Sequence, residues 1–175
     1  LNAWPRGLLR RRPKAREQRF MLTRRRPRVP RTPGFRPAHD GDLEELTEFA
    51  CRLHVEDEMG PPISGSGRDV VRARARDRVA RGATWVVERR GRPVAKVDVA
   101  LRSRRRGAQL AGVYVHPDWR GRGLGAAAVG LTARQLLDAG VPGVTLHVRS
   151  DNTAAIAAYR RAGLVDAGAL LLALR

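Results

Sequence analysis

From Asp40 onward, apolar residues recur at helical spacing: Leu43, Leu46, Ala50 and Leu53 form one stripe. Asp42, Glu44 and Glu45 fall in its first turn, where the helix dipole favours anions. The Gly/Pro/Ser-rich residues 60–67 predict a loop, and Val71, Ala75 and Val79, one turn apart, predict a second helix over residues 68–80. The period then changes to two. Residues 84–88 and 94–101 are β-rich runs around Arg90-Gly91-Arg92, a hairpin signal. In the second run Val97, Val99 and Leu101 alternate with Lys96 and Asp98, which predicts one apolar and one charged face. A turn over residues 102–107 and a strand over 109–115 complete an antiparallel meander, and Pro117 ends it. Leu124, Ala128 and Leu131 open a helix running to about residue 139 and closing at Gly140, and residues 144–148 form a strand. Asn152 is a good N-cap for a last helix, whose end is marked by Arg160, Arg161 and a C′ Gly163. Residues 164–174 supply a final strand with a break near Gly168.

Residues 1–34 lack such periodicity and carry Pro5, Pro13, Pro27, Pro30 and Pro33, so this stretch is expected to stay unstructured. The chain opens on Leu1, and Met21 is a candidate true start. The remaining residues, 35–175, are expected to form one domain of mixed α/β (α+β) class. The net charge of +18 divides unevenly, +11 on residues 1–34 and +7 on the rest, and all but two of the basic residues are arginine. An arginine preference of this kind points to coding bias, which discounts the charge as a functional sign. An exposed basic arm would still bind polyanions weakly and in a salt-dependent way, by counterion release. No apolar run approaches the roughly 18 residues of a membrane span, and Leu8 and Leu9 are cut off by Arg10, Arg11 and Arg12, so neither membrane insertion nor a secretory leader is expected. The single Cys51 excludes an internal disulfide and reads as a buried, inert thiol, and the four histidines are too scattered for a local metal motif. A cytoplasmic protein without a metal is the expectation.

Candidate chemistry concentrates in Arg120-Gly121-Arg122-Gly123-Leu124-Gly125, between a strand and a helix. Glycines without Cβ let the backbone approach a ligand, and unpaired N–H groups at a helix start point toward an anion. A helix terminus alone supplies only about 0.3 to 2 kcal/mol, so Arg120 and Arg122 are expected to add charge-assisted bonds. A diphosphate-bearing cofactor fits; the plain alternative is a glycine-rich helix entrance with no ligand. Gly121-x-Gly123-x-x-Ala126 also matches a dinucleotide fingerprint, with Asp151 roughly where a ribose-binding acid falls. That motif belongs to a doubly wound parallel sheet, whereas here three hairpin strands precede it and only about 50 residues follow. A P-loop is excluded because no Gly-Lys-Ser/Thr follows.

The stretch Gly112-Val-Tyr-Val-His-Pro-Asp-Trp-Arg-Gly-Arg-Gly-Leu-Gly resembles the central signature of the GNAT superfamily of N-acetyltransferases. Leu146-His-Val-Arg-Ser-Asp-Asn-Thr-Ala-Ala-Ile-Ala-Ala-Tyr-Arg-Arg-Ala-Gly-Leu is similar to a second signature, with Leu164 replacing the usual Phe. Val94-Ala-Lys-Val-Asp-Val resembles the catalytic half of an actinobacterial GNAT group that normally carries a further N-terminal domain, so the chain is expected to be a fragment. The resemblance implies the GNAT fold, a mostly antiparallel sheet splayed at the cofactor site and flanked by helices. It implies an acyl-CoA-dependent transfer of an acetyl or short acyl group from acetyl-CoA to a primary amine. Within the strand Val113-Tyr114-Val115, main-chain groups of Val113 and Val115 would bond the pantetheine amides. Residues Gly121, Arg122, Gly123, Leu124, Gly125 and Ala126, with Arg120, would hold the pyrophosphate, Asn152 would touch the cofactor arm, and Tyr159 would be the general acid.

An amine acceptor must lose a proton before attack. A lysine-type amine is under about 0.1% neutral at pH 7, an α-amino group roughly 10%. Asp98 is the sequence candidate for the base, with a surface ion pair to Lys96 as its alternative and His116 as a weaker candidate. Two further functions stay open: a nucleic-acid- or ribosome-associated binding protein acting through the basic arm, and an inactive GNAT fold sensing acyl-CoA.

Overall fold

Arg90 and Gly91 both take positive φ (52° and 75°) and turn the chain between β3 (Thr84–Arg89) and β4 (Arg92–Ser103). Mirror-image turns of this kind match the twist of a hairpin, and the pair forms in register from Thr84↔Asp98 to Arg89↔Arg92. The computed structural model describes residues 14–174. Around this hairpin it builds one seven-stranded sheet from β1 (Lys14–Thr23), β2 (Phe35–Pro37), β5 (Gly107–Val115), β6 (Val144–Arg149) and β7 (Val165–Leu174) as well. The strand order is β2-β3-β4-β5-β6-β1-β7. Every pairing is antiparallel except β5 with β6.

Four helices cover the sheet: α1 (Leu43–Glu56), α2 (Ser66–Ala80), α3 (Leu124–Asp138) and α4 (Thr153–Arg161). Alternation along the strands sorts them. Val86 packs with Leu43, Leu46 and Ala75 of α1 and α2, while its neighbour Val87 packs with Leu124 and Ala128 of α3. Val97, Leu110, Leu146 and Met21 form the largest core with α3 and Ile156 and Tyr159 of α4. α3 has buried residues around most of its circumference, because the connector after β1 crosses its outer side. Val29 sits against Gly130, where a Cβ would come within 2.5 Å of it, and Pro27 lies against Gly163.

The elements read from periodicity from residue 40 onward are all present, with boundaries moved by one to three residues. The break expected near Gly168 is a register shift between β7 and β1 at Phe20/Met21. Residues 14–34 differ from the expectation of an unstructured tail. Lys14–Thr23 is a strand between β6 and β7, and Met21 is fully buried. An inner strand satisfies its backbone from both neighbours, and the charged and polar first part of this one, Lys14-Ala-Arg-Glu-Gln-Arg19, hid it. The short β2 was likewise not anticipated. Of the basic residues in the arm of residues 1–34 expected to bind polyanions, Arg6, Arg10, Arg11 and Arg12 lie outside the described residues.

Among the described residues no helix is long and apolar enough to cross a membrane. Cys51 is buried on α1.

Because β1 completes the sheet, Met21→Ala is expected to lower stability by about 2 to 5 kcal/mol, as for large-to-small changes in a full core. Urea unfolding followed by circular dichroism measures this; an unchanged midpoint would mean that β1 is dispensable. A chain starting at Thr32 lacks β1 altogether and is expected to show no cooperative transition in the same assay.

Candidate functional site at the divergence of β5 and β6

Parallel pairing between β5 and β6 covers only Ala108↔Val144 to Leu110↔Leu146. Beyond it the strands part, and a cavity of about 850 Å³ opens between their ends, the starts of α3 and α4 and the end of α1. The N–H of His116 donates to Val94 O on β4 (2.8 Å). By alternation the amide of Tyr114 faces β4 as well, and those of Val113 and Val115 face the cleft. Tyr114 itself turns its ring under α1, against Phe49 at 4.9 Å.

At the α3 entrance Gly121 and Gly123 both have φ of 74°, a conformation that L side chains rarely adopt. A Cβ at either would meet nothing within 4 Å, so conformation and not crowding demands glycine there. Gly123 caps α3 without a side-chain hydrogen bond, and the first turn holds no acid. The amides at this helix start therefore meet the cavity with neither a side-chain cap nor a carboxylate to neutralise the dipole. α4 differs, since Asn152 Oδ1 accepts from Ala155 N at 3.0 Å and leaves only its NH₂ to a ligand.

The two arginines do not act alike. Arg120 binds both oxygens of Glu56 (2.7 and 2.8 Å) and donates to Val115 O at 3.0 Å, while Arg122 lies over the Trp119 ring at 4.8 Å and does not line the cavity.

Asp98 is also absent from the cavity wall. Its alternation opposite Val97 holds, but that face is covered by α1 and α2 instead of solvent, so Lys96 and Asp98 are only 3% and 5% exposed. Asp98 accepts from Thr84 Oγ1 (2.8 Å) and Lys96 Nζ (2.5 Å), with Arg78 Nε at 3.7 Å. The pair lies beneath a bulge in β5, where Gly112 has φ of 55° and a Cβ would fall 2.4 Å from Asp98 Oδ2. Neither the expected base nor the alternative surface pair describes this arrangement; it is a buried ion pair. His116 lies in a separate hollow with Trp119.

Tyr159, 8% exposed, projects from α4 into the cavity wall. Burial raises its phenol pKa, and the charge of Asp57 raises it further. Arg16 and Gln18 of β1, and Glu56 and Asp57 at the end of α1, also line the cavity and escaped the sequence reading. One signal was available: Glu56-Asp57-Glu58 places three acids at a helix C-terminus, against the dipole. Arg16 compensates, donating to the main-chain oxygens of Asp57 and of Glu58 (the latter at 2.8 Å).

Residues 47–164 of the chain match the model of the acetyltransferase (GNAT) family. This chain belongs to that family. Over 51 residues it is 47% identical to a mycothiol acetyltransferase of Nocardiopsis dassonvillei, a stretch covering 29% of this chain and 16% of that protein. Over 47 residues it is 43% identical to an acetyltransferase of Sodalis glossinidius, covering 27% and 33%. The chain thus spans a third or less of the curated relatives it matches. A GNAT-family acetyltransferase from Colwellia psychrerythraea superposes with a TM-score of 0.72 at 14% identity, over 91% of this chain and 56% of that one. A predicted acetyltransferase from Clostridium acetobutylicum, solved with acetyl-CoA, superposes at 0.61 and 14% identity, over 76% and 90%. These two likenesses concern the fold.

Removing one partner of a buried ion pair costs about 3 to 5 kcal/mol. Asp98→Ala is therefore expected to lower stability by that amount in chemical denaturation, with Lys96→Met/Asp98→Leu recovering most of it. A fully stable Asp98→Ala protein would refute the structural role.

Proposed function

We propose that this chain transfers an acetyl or short acyl group from acetyl-CoA to a primary amine. The observation that carries the reading is a single cavity holding an uncapped helix start, the cleft-facing amides of β5 and a buried phenol. The α3 entrance, from Gly121 to Ala126, suits a diphosphate, since among the described residues no side chain caps its first turn and no acid lies in it. Amides of Val113 and Val115 suit the pantetheine arm, and a β5 amide suits the thioester carbonyl as charge develops on its oxygen. Asn152 keeps its NH₂ for the arm of the same ligand.

Tyr159 is proposed as the general acid. Its raised pKa keeps the phenol protonated at neutral pH. The same desolvation disfavours a thiolate, so the proton transfer is less uphill than the pKa values of the separate groups in water imply. Arg120, expected at the diphosphate, lines the cavity and is tied to Glu56, so that it also braces α1 against the turn before α3. The single, buried Cys51 suits a reducing cytoplasm.

Isothermal titration with acetyl-CoA and a thiol-release assay over a broad panel of amines test the reading. Gly123→Val with Gly125→Val is expected to abolish measurable coenzyme binding in a folded protein. Tyr159→Phe is expected to lower kcat about 100-fold while leaving acetyl-CoA affinity within about 2-fold. Binding that survives the glycine substitutions removes the diphosphate site; an unchanged kcat removes Tyr159 from the reaction.

A further inference from the structure

Three carboxylates line the cavity: Glu56, Asp57 and Asp151. Glu56 is held by both nitrogen–oxygen bonds to Arg120, and Asp151 is held by Arg149 at 2.6 and 2.9 Å. Asp57 differs. Its main chain is engaged, the N–H donating to Leu53 O and the carbonyl accepting from Arg16, yet its half-buried carboxylate makes no hydrogen bond or ion pair among the described residues. In a chain with 35 basic residues against 17 acids, an unpaired carboxylate facing a cavity is conspicuous. It is also near enough to Tyr159 for its charge to perturb the phenol.

We propose that Asp57, at the C-terminal end of α1, binds the acceptor ammonium and is the general base of the acetyl transfer. The proposal rests on the acetyl-transfer reading above. The carbonyl end of α1 and the carboxylate together favour a cation at this point. Arg16 and Gln18 bring β1 to the same wall, so Arg16 fixes the main chain of Asp57 and Glu58 while the Asp57 side chain stays available.

The proton balance closes with these two residues. The ammonium gives one proton to Asp57. The neutral amine forms the N–C bond at the thioester carbonyl carbon, and the C–S bond breaks. The departing thiolate takes the Tyr159 proton, and the surplus proton on nitrogen returns to the Tyr159 oxygen. Asp57 releases its proton to solvent, so one proton leaves per acetyl group transferred.

Burial pushes the Asp57 carboxyl above the usual carboxylate range, against the opposing pull of Arg149 and, more weakly, Arg16, with Glu56 pushing the same way as burial. The groups facing it are Arg16 on β1, Arg149 on β6, Glu56 and Glu58 on either side, and Tyr159 on α4. The rate should rise with pH as this carboxyl ionises.

The test uses the full chain, acetyl-CoA and primary amines graded in pKa. If the unaltered protein acetylates no amine, the acetyl-transfer reading fails and this proposal with it. Given turnover, Asp57→Asn is expected to lower kcat/KM at pH 7 about 100-fold for alkylamines of pKa near 10. For amines already neutral at pH 7 the loss should be under about 5-fold, and acetyl-CoA affinity should not change. Asp57→Glu should recover part of the activity and keep the acidic limb of the pH profile. Equal losses for both amine classes overturn the proposal. So does an acidic limb that survives Asp57→Asn, or one that vanishes in His147→Gln, which would assign the base to β6 instead.

Discussion

The site exists because β5 and β6 pair for only a few residues and then separate. Two strands that part inside a sheet leave main-chain donors and acceptors without partners, a cost that no ordinary core tolerates. Several features share the task of holding them apart. On the β5 side the bulge at Gly112 bends the strand away over Asp98 and Lys96, and the buried pair fills the space a side chain would need. On the β6 side β1 pairs along the whole strand, from Thr23↔Val144 to Gln18↔Arg149, and so stabilises β6 after β5 has left it. α3 and α4 then enter the gap from one face and the end of α1 from the other.

This dependence explains what could be read from residues alone. The α3 entrance and the α4 cap were legible because they are local: glycine conformation, an Asn N-cap and a C′ glycine are decided within a turn of chain. The layer order was not. Lys96 and Asp98 alternate correctly with Val97, but alternation says which face they share and nothing about what covers it. β1 escaped for a related reason. Its neighbours come from residues 144–149 and 165–174, so its pairing is a long-range fact with almost no periodic trace. Arg120 and Arg122 were assigned by proximity to the glycines, whereas Glu56, 64 residues away, claims the first and Trp119 the second.

The abundance of arginine also takes a different meaning from the net charge. Glu44 and Glu48 are shared with Arg68, Arg52 and Arg72 across α1 and α2, and Arg36 joins Asp42 to Glu88 between β2, α1 and β3. The exposed pairs between α1 and α2 contribute little individually, under about 1 kcal/mol each, whereas Asp42 is buried and held by two bonds from Arg36. Their collective effect is to neutralise many of the surface acids among the described residues, so a carboxylate left without an ion pair in a cavity stands out electrostatically.

β1 carries this logic to the cavity. A strand that the composition marks as part of a basic arm delivers Arg16, only 11% exposed, to the carbonyl end of α1. There the guanidinium offsets three consecutive acids that would otherwise oppose the helix dipole and one another. Without it, Glu56-Asp57-Glu58 would favour fraying the last turn of α1 and the wall it forms. With it, the acids can be kept at the mouth of the cavity. The basic N-terminal segment therefore contributes to the wall of the cavity through one part-buried arginine, a role that depends on position and not on charge density.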